Sequence, residues 1–306
     1  MSAPGELSVS RSNAEQNATT LRDEKRVDSY PRLVMRQLVR NRAAIFGGIV
    51  LLVIILTTLI GPLFLHQDQS SMNLRERLLS PSWDHPMGTD LLGRDQLTRL
   101  ILGGQVTLRI TFGAVLIAMV FGSAIGILAG YFGGKTDFFL MRVVDVLMTL
   151  PAFLLAIAIV ASLGTGTSNV MLAVGAASIT SFARVSRAST LTVRNQDYVE
   201  AALSTVASVP RLLSRYIFPN ILPPLIVQAT LMLATGMLTA SGLSFLGLGP
   251  QPPTPEWGAM LAEGRDYIIN APLLVIFPGL AILITAICFN LLGDGLRDAM
   301  DPYLRR

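Results

Sequence analysis

The chain has 306 residues, 51% of them hydrophobic and only 14% charged, with a mean hydropathy of +0.55 and a net charge of +4. A soluble domain of this size carries about a quarter charged residues, so the composition excludes an ordinary water-soluble fold and points to a chain that meets lipid. The positive charge is spread along the chain rather than gathered on one stripe, which argues against nucleic acid as a partner, and the lone Cys288 permits neither an internal disulfide nor a thiol-rich metal cluster.

Residues 1–29 are polar and of mixed charge, with no apolar stretch before Ile45. They predict a disordered cytoplasmic tail and no secretory signal. Residues 30–43 place Leu33, Val34, Leu38 and Val39 near helical spacing, with Arg32, Arg36 and Arg40 opposite. An interfacial helix on the inner leaflet fits this pattern, and a simple basic flank to the first span fits it as well. Six apolar blocks follow, near 44–65, 108–130, 143–163, 168–183, 223–248 and 272–293. A helix needs about 20 apolar residues to cross the hydrocarbon, and the fourth block, rich in Ala, Ser and Thr, is the shortest. The expected fold is therefore an all-α membrane protein with six transmembrane helices and an N-terminal interfacial helix.

Several features inside this frame carry separate expectations. Gly122, Gly126 and Gly130 lie four apart and predict a face for close helix crossing, within this chain or with a partner. Residues Ala129 to Thr136 match a relaxed phosphate-loop pattern, but no strand precedes them, so a tight inner turn is expected there. Pro223 and Pro224 fit the first turn of the fifth span. The Pro-rich run 250–255 stiffens the last outer connection. Trp83 and Trp257 are expected outside, at the headgroup level or against another protein.

Lysine and arginine set the orientation. With the N-terminus inside, the inner segments hold eighteen such residues and the outer segments five, with Arg109 at a span edge. Both termini are thus expected in the cytoplasm. Only Arg109 and Asp145 fall within the blocks, both at edges, which weakens an ion-coupled secondary transporter. Both histidines, His66 and His85, lie in the outer loop, so intramembrane hydrolysis lacks a base and no catalytic residue is expected.

The inner loop 184–222 is long and too apolar for a solvated linker. Val199, Ala202, Leu203 and Val206 fall near one helical face, Glu200 and Ser204 on another. The pattern leaves lipid and a partner protein equally open as what covers the apolar face. Glu200-Ala201-Ala202, followed by Phe218-Pro219-Asn220, resembles the EAA loop of binding-protein-dependent ABC importers. His85 to Asp95 (with Gly88, Asp90, Gly93, Arg94), Ser244 to Gly249, Gln251 to Gly258 (with Trp257) and Asn290 to Asp298 extend the similarity. Together they resemble the C-type permeases of the dipeptide, oligopeptide and nickel uptake family over about residues 30–304.

That resemblance implies a six-helix permease domain at 44–304 with a coupling loop at 184–222. Glu200, Ala201, Ala202, Val206, Pro219 and Asn220 are its expected ATPase-coupling residues. Gly88, Asp90, Gly93, Arg94, Asp95 and Trp257 are its expected outer-loop or binding-protein contacts. Implied partners are a second homologous permease, two ATPase subunits bearing ATP and magnesium, and an extracytoplasmic solute-binding protein, all at the cytoplasmic (inner) membrane. This chain is expected to bind no cofactor and no metal. Val206 stands where the family usually has Gly, and Tyr216 where close relatives often have His, so the turn after the coupling helix is expected to differ. A structural membrane scaffold, the remaining alternative, gives no reason for an EAA-like loop.

Overall fold

The computed structural model describes residues 30–65, 72–204 and 208–300. The tail 1–29, His66, Val206 and the last six residues lie outside this range. Among the described residues the regular structure is helical, with one isolated bridge between Thr89 and Asp95.

A short helix, α1 (Tyr30–Leu38), precedes α2 (Arg42–Ile60). Asn41 separates them because its side-chain oxygen accepts from the N–H groups of Ala43 and Ala44, a cap that starts a new helix. After the outer loop come α3 (Gln96–Phe132), α4 (Gly134–Met148), α5 (Ala152–Leu163) and α6 (Thr167–Arg194). The inner segment holds α7 (Asp197–Ser204) and the one-turn α8 (Val209–Leu212), which passes through a π-turn at Leu213–Ile217 into α9 (Phe218–Phe245). Helix α10 (Trp257–Gly264) and α11 (Leu273–Met300) complete the fold.

Four segments are long and apolar enough to cross a membrane: Arg42–Leu63, Gln96–Phe132, Val209–Phe245 and Leu273–Met300. Counting α4 and α5 together adds a fifth. The block 143–163, expected as one span, is broken: α4 and α5 meet at 90°. Pro151 accounts for the break, since it disfavours helical geometry at Leu150 and brings no N–H to continue the ladder. Helix α6, which contains the fourth block, is richer in Ser, Thr and Arg and is not among the crossing-length apolar segments. It continues eleven residues beyond the block, to Arg194. The prolines at 223 and 224 sit inside α9 rather than in its first turn, because the helix already begins at Phe218.

Close packing explains the glycines. Helices α3 and α6 lie side by side, and a Cβ at Gly122 would come 2.6 Å from the Ile179 carbonyl oxygen. At Gly126 it would meet the Ala183 carbonyl and lie 2.7 Å from Arg187 N; at Gly130 it would lie 2.9 Å from Thr190 Cβ. The crossing therefore lies within this chain, and any larger side chain on that face separates the helices. Gly47 does the same for α2 against α11, 2.9 Å from the Cys288 carbonyl. Cys288 is a buried free thiol, as a packing role requires. On the outside, Ile49, Leu52, Leu116, Val120, Leu283 and Ile284 are exposed, an apolar surface suited to lipid. The segment from Ala129 to Thr136 ends α3 and begins α4 through Gly133 at φ +65°, with no strand before it.

Candidate functional site

The described parts of the inner segment, residues 195–204 and 208–222, are held close to the bundle. Helix α7 directly follows α6, and its Val199 and Ala202 are buried in the same cluster as Leu212, Ile217 and Phe182. Two buried side chains three residues apart on a two-turn helix fix which face turns inward. Glu200, Ala201, Leu203 and Ser204 are thereby exposed. Leu203, expected on the apolar face, is turned outward instead, because Val199 and Ala202 already fill the inward stripe. Beyond the π-turn, Asn220 donates from Nδ2 to the Tyr216 carbonyl at 2.6 Å and stays exposed beside Pro219. Pro223 and Pro224 carry no N–H, so the carbonyls of Pro219 and Asn220 lack their usual helical donors. All four residues line an open cavity of about 920 Å³ at the inner end of α9.

At the opposite end the loop 72–95 folds back on itself. Asp90 accepts from the N–H groups of Leu92 and Arg94 at 2.8 and 2.9 Å, and from Arg94 Nε at 2.6 Å. Arg99, on the first turn of α3, shares the Asp90 carboxylate and reaches Glu263 of α10 at 2.8 Å. Arg94 joins the same Glu263 at 3.3 Å. Two carboxylates and two guanidinium groups thus form a neutral, mostly buried cluster that ties the outer loop, α3 and α10 together. Asp95 caps α3 by accepting from Thr98 N at 2.8 Å, and His85 Nδ1 lies 3.1 Å from its other oxygen.

Gly88 and Gly93 both have φ above +70°, and a Cβ on either would meet a backbone carbonyl, of Leu79 and Asn73 respectively. Only glycine serves at these two turns.

The model of the family described as "binding-protein-dependent transport system inner membrane component" matches residues 122–306, and that of the "N-terminal TM domain of oligopeptide transport permease C" matches 29–81. The chain belongs to this family.

The permease is 39% identical to the dipeptide transport system permease protein DppC of Alkalihalophilus pseudofirmus, over 95% of this chain and 96% of that one. It is 43% identical to the di/tripeptide permease DppC of Pseudomonas aeruginosa, covering 87% and 89%. The glutathione permease GsiD of Pectobacterium atrosepticum is 41% identical, covering 92% and 94%. A chain from a crystal structure of the inward-facing MetNI methionine ABC transporter shares the fold, with a TM-score of 0.54 at 17% identity, over 66% of this chain and 96% of that one. The permease is thus a subunit of an ABC importer, and its relatives are transport proteins rather than enzymes.

The expected site residues divide between the two ends of the permease. Glu200, Ala201 and Ala202 share one helix, with Pro219 and Asn220 across the π-turn, and Val206 lies outside the described residues. Ala202 is small because it seats α7 on its own domain; Ala201 is the alanine turned outward. Gly88, Asp90, Gly93, Arg94 and Asp95 converge as one folded outer loop.

Trp257 departs from expectation. It is buried, and its indole N–H donates to the Leu100 carbonyl at 2.8 Å, so it braces α10 against α3 instead of facing headgroups. Trp83 is fully exposed.

Sequence reasoning missed Arg99, Glu263 and Glu256. Glu256 is sealed at the start of α10, accepting from Ala259 N and the Thr107 hydroxyl, both at 2.9 Å. A capping carboxylate before Trp-Gly-Ala was the readable signal. The partners Thr107 and Glu263 are too distant in sequence to be paired by inspection.

Proposed function

We propose that this permease forms half of a pathway through which short peptides cross the inner membrane, driven by ATP hydrolysed on partner subunits. On this reading six segments cross: α2, α3, the bent pair α4–α5, α6, the rod ending in α9, and α11. Both termini face the cytoplasm, an orientation supported by the eighteen-to-five bias in Lys and Arg, and α1 rests on the inner leaflet. A second homologous permease completes the pathway, two ATPase subunits carry ATP and magnesium, and an extracytoplasmic binding protein delivers cargo. This chain binds no cofactor and catalyses no reaction. The named cargoes of its relatives, dipeptide, di/tripeptide and glutathione, are all built on amide bonds and support peptide as the cargo class.

The observation that carries the coupling assignment is the orientation of α7. Val199 and Ala202 anchor it to the bundle while Glu200 and Ala201 stand out from it. A helix so placed offers an acidic side chain and a low surface to a basic groove, and moves as a body with α6. Replacing Glu200 by Arg reverses the charge on the exposed face without touching the seat. The variant is expected to insert normally and retain the second permease, yet show ATP hydrolysis no longer matched by uptake in proteoliposomes. Wild-type uptake by that variant removes the coupling assignment. Mass spectrometry of the tagged complex, heated to release its ligand, identifies both the co-purifying ATPases and the cargo.

A further inference from the structure

Helix α2 is pinned at two points and stands off from its neighbours between them. A Cβ at Gly47 would lie 2.9 Å from the Cys288 carbonyl oxygen of α11, and one at Gly61, just past the end of α2, would lie 2.9 Å from Ile101 Cγ2 of α3. At ~1.5 Å per residue these two contacts are about 21 Å apart along the helix. Between them a cleft of about 430 Å³ opens among α2, α3, α10 and α11, with Val53, Ile54, Leu97, Leu100, Trp257 and Ala281 in its lining. Ile49 and Ile284, which also line it, are exposed, as is Val53, so the cleft opens onto the apolar surface suited to lipid.

The lining and the size of this space decide what fills it. Thr58 donates its hydroxyl to the Ile55 carbonyl at 3.0 Å, and the Trp257 indole N–H is already bonded to the Leu100 carbonyl at 2.8 Å. Among the lining side chains that leaves the Thr57 hydroxyl, whereas an ordered water needs about two to four polar partners and apolar cavities stay dry. A helix from another subunit is too large: about 10 Å across, it would occupy roughly 1,100 Å³ over the ~14 Å between Ile49 and Thr58. An extended peptide segment would bring backbone N–H and C=O groups that nothing in this lining can pair. A bare hydrocarbon chain meets none of these objections. The same ~14 Å is close to half of a hydrocarbon core about 30 Å thick, the depth of one leaflet. A methylene is close to a water molecule in size, so at about 30 Å³ each the cleft holds a run of roughly fourteen.

We propose that this cleft is a binding site for one acyl chain of a membrane lipid, inserted from the outer leaflet and held between α2, α3 and α11 against the Trp257 ring. The inference goes beyond the importer reading and needs only that these three helices cross the membrane, for which each is long and apolar enough; the leaflet follows from the orientation proposed above. The chain supplies the packing that α2 lacks between its two glycine contacts, since an unfilled gap forfeits dispersion contacts along its whole lining. Trp257 opens α10, the helix whose Glu263 meets Arg94 and Arg99. A lipid chain seated on this ring therefore ties the outer assembly to the bilayer.

Photo-crosslinking in the complete complex tests this. The probe is a phosphatidylcholine carrying a diazirine midway along one acyl chain, mixed into phosphatidylethanolamine–phosphatidylglycerol vesicles that hold the complex. After photolysis, peptide mass spectrometry is expected to find adducts on Leu100 and Trp257 as well as on the exposed Leu116 and Leu283, and none on the fully buried Phe182. Exchange into detergent before photolysis separates a site from the lipid annulus: adducts at Leu116 and Leu283 are expected to fall many-fold while those at Leu100 and Trp257 persist. Ala281→Phe and Val53→Trp each place a ring in the cleft and are expected to remove the retained adducts without changing those at Leu116 in vesicles. The unsubstituted complex decides the matter by itself where either variant fails to assemble. Adducts at Leu116 and Leu283 alone, the result when the cleft is empty or covered by another subunit, overturn the proposal. So do adducts at all four positions lost together on detergent exchange, which show annular lipid only, and adducts retained at Leu100 in Ala281→Phe.

Discussion

Glu256 shows how one residue can hold the outer face together through a carboxyl group that water never reaches. Burial pushes its carboxyl above the ordinary value near 4.5, against the lowering effect of hydrogen bonds from the Ala259 N–H and the Thr107 hydroxyl. Thr107 in turn accepts from Trp257 N at 3.2 Å, so a single hydroxyl joins α3 to both residues that open α10. A raised folded-state value means the folded chain keeps its proton where the unfolded chain has released it. The stabilisation is then fully present below about pH 4.5 and declines as pH rises through the folded value. Glu256→Gln keeps an acceptor for Ala259 and removes the titration. Its thermal midpoint is expected to gain on the wild type as pH rises above about 4.5 and to level off once the folded value is passed, measured on the purified complex by scanning calorimetry. Glu256→Ala loses the cap as well and is expected to be destabilised by about 1 kcal/mol or more at every pH. A constant difference between Gln and Glu across that range would show that the carboxyl does not titrate with folding.

At the scale of elements, the α3–α6 crossing sets the geometry on which both ends of the permease depend. Gly126→Leu forces side-chain volume into the backbone of Ala183 and Arg187, and is expected to cost about 1–3 kcal/mol or to prevent assembly. Gly48, whose added Cβ would lie an ordinary 3.8 Å from Leu292 Cδ1, is the contrasting site, and Gly48→Ala is expected to be silent in the same unfolding assay. The glycine spacing made this crossing legible because i, i+4 positions share a face whatever they pack against. What the sequence did not disclose was the length of the elements. Helix α3 begins at Gln96, twelve residues before the apolar block, because its first turns carry Arg99 and Thr107 into the outer assembly and read as loop by polarity. Helix α6 outruns its block because Arg184 and Arg187 find Asp145 and Asp137 on α4. Apolarity reports where lipid lies; it is blind to helices continued by polar partners distant in sequence. For the same reason the EAA-like residues are found by resemblance, while the pattern puts Ala202 on an apolar face with Val199 and only the packing against Leu212 and Ile217 shows that the chain's own bundle covers it.

Across the whole molecule, α6 runs along α3 to the helix that bears Glu200. On the proposed reading it is the lever between ATPase and path, and a lever needs bracing where it leaves the bundle. The Asp137–Arg187 pair supplies this: Arg187 Nη2 donates to Asp137 Oδ2 at 2.6 Å beside a second, Nε contact of 2.5 Å, in a two-pronged arrangement that fixes orientation as well as distance. The neighbouring Asp145–Arg184 pair, 2.7 Å apart, is half exposed on both sides and contributes little by comparison. Asp137→Asn and Arg187→Gln are each expected to raise the ATP hydrolysed per solute imported, without loss of subunits from the complex. The double substitution is expected to raise the ratio no further than either single one, because each single change already breaks the pair. Stoichiometry in proteoliposomes reads this directly. If the brace is structural only, thermal stability falls while the ratio of hydrolysis to uptake stays at the wild-type value; if α6 transmits the stroke, the ratio moves even where stability does not. Strictly additive changes in the ratio would mean that the stroke reaches the solute path by a route other than the contact between α4 and α6.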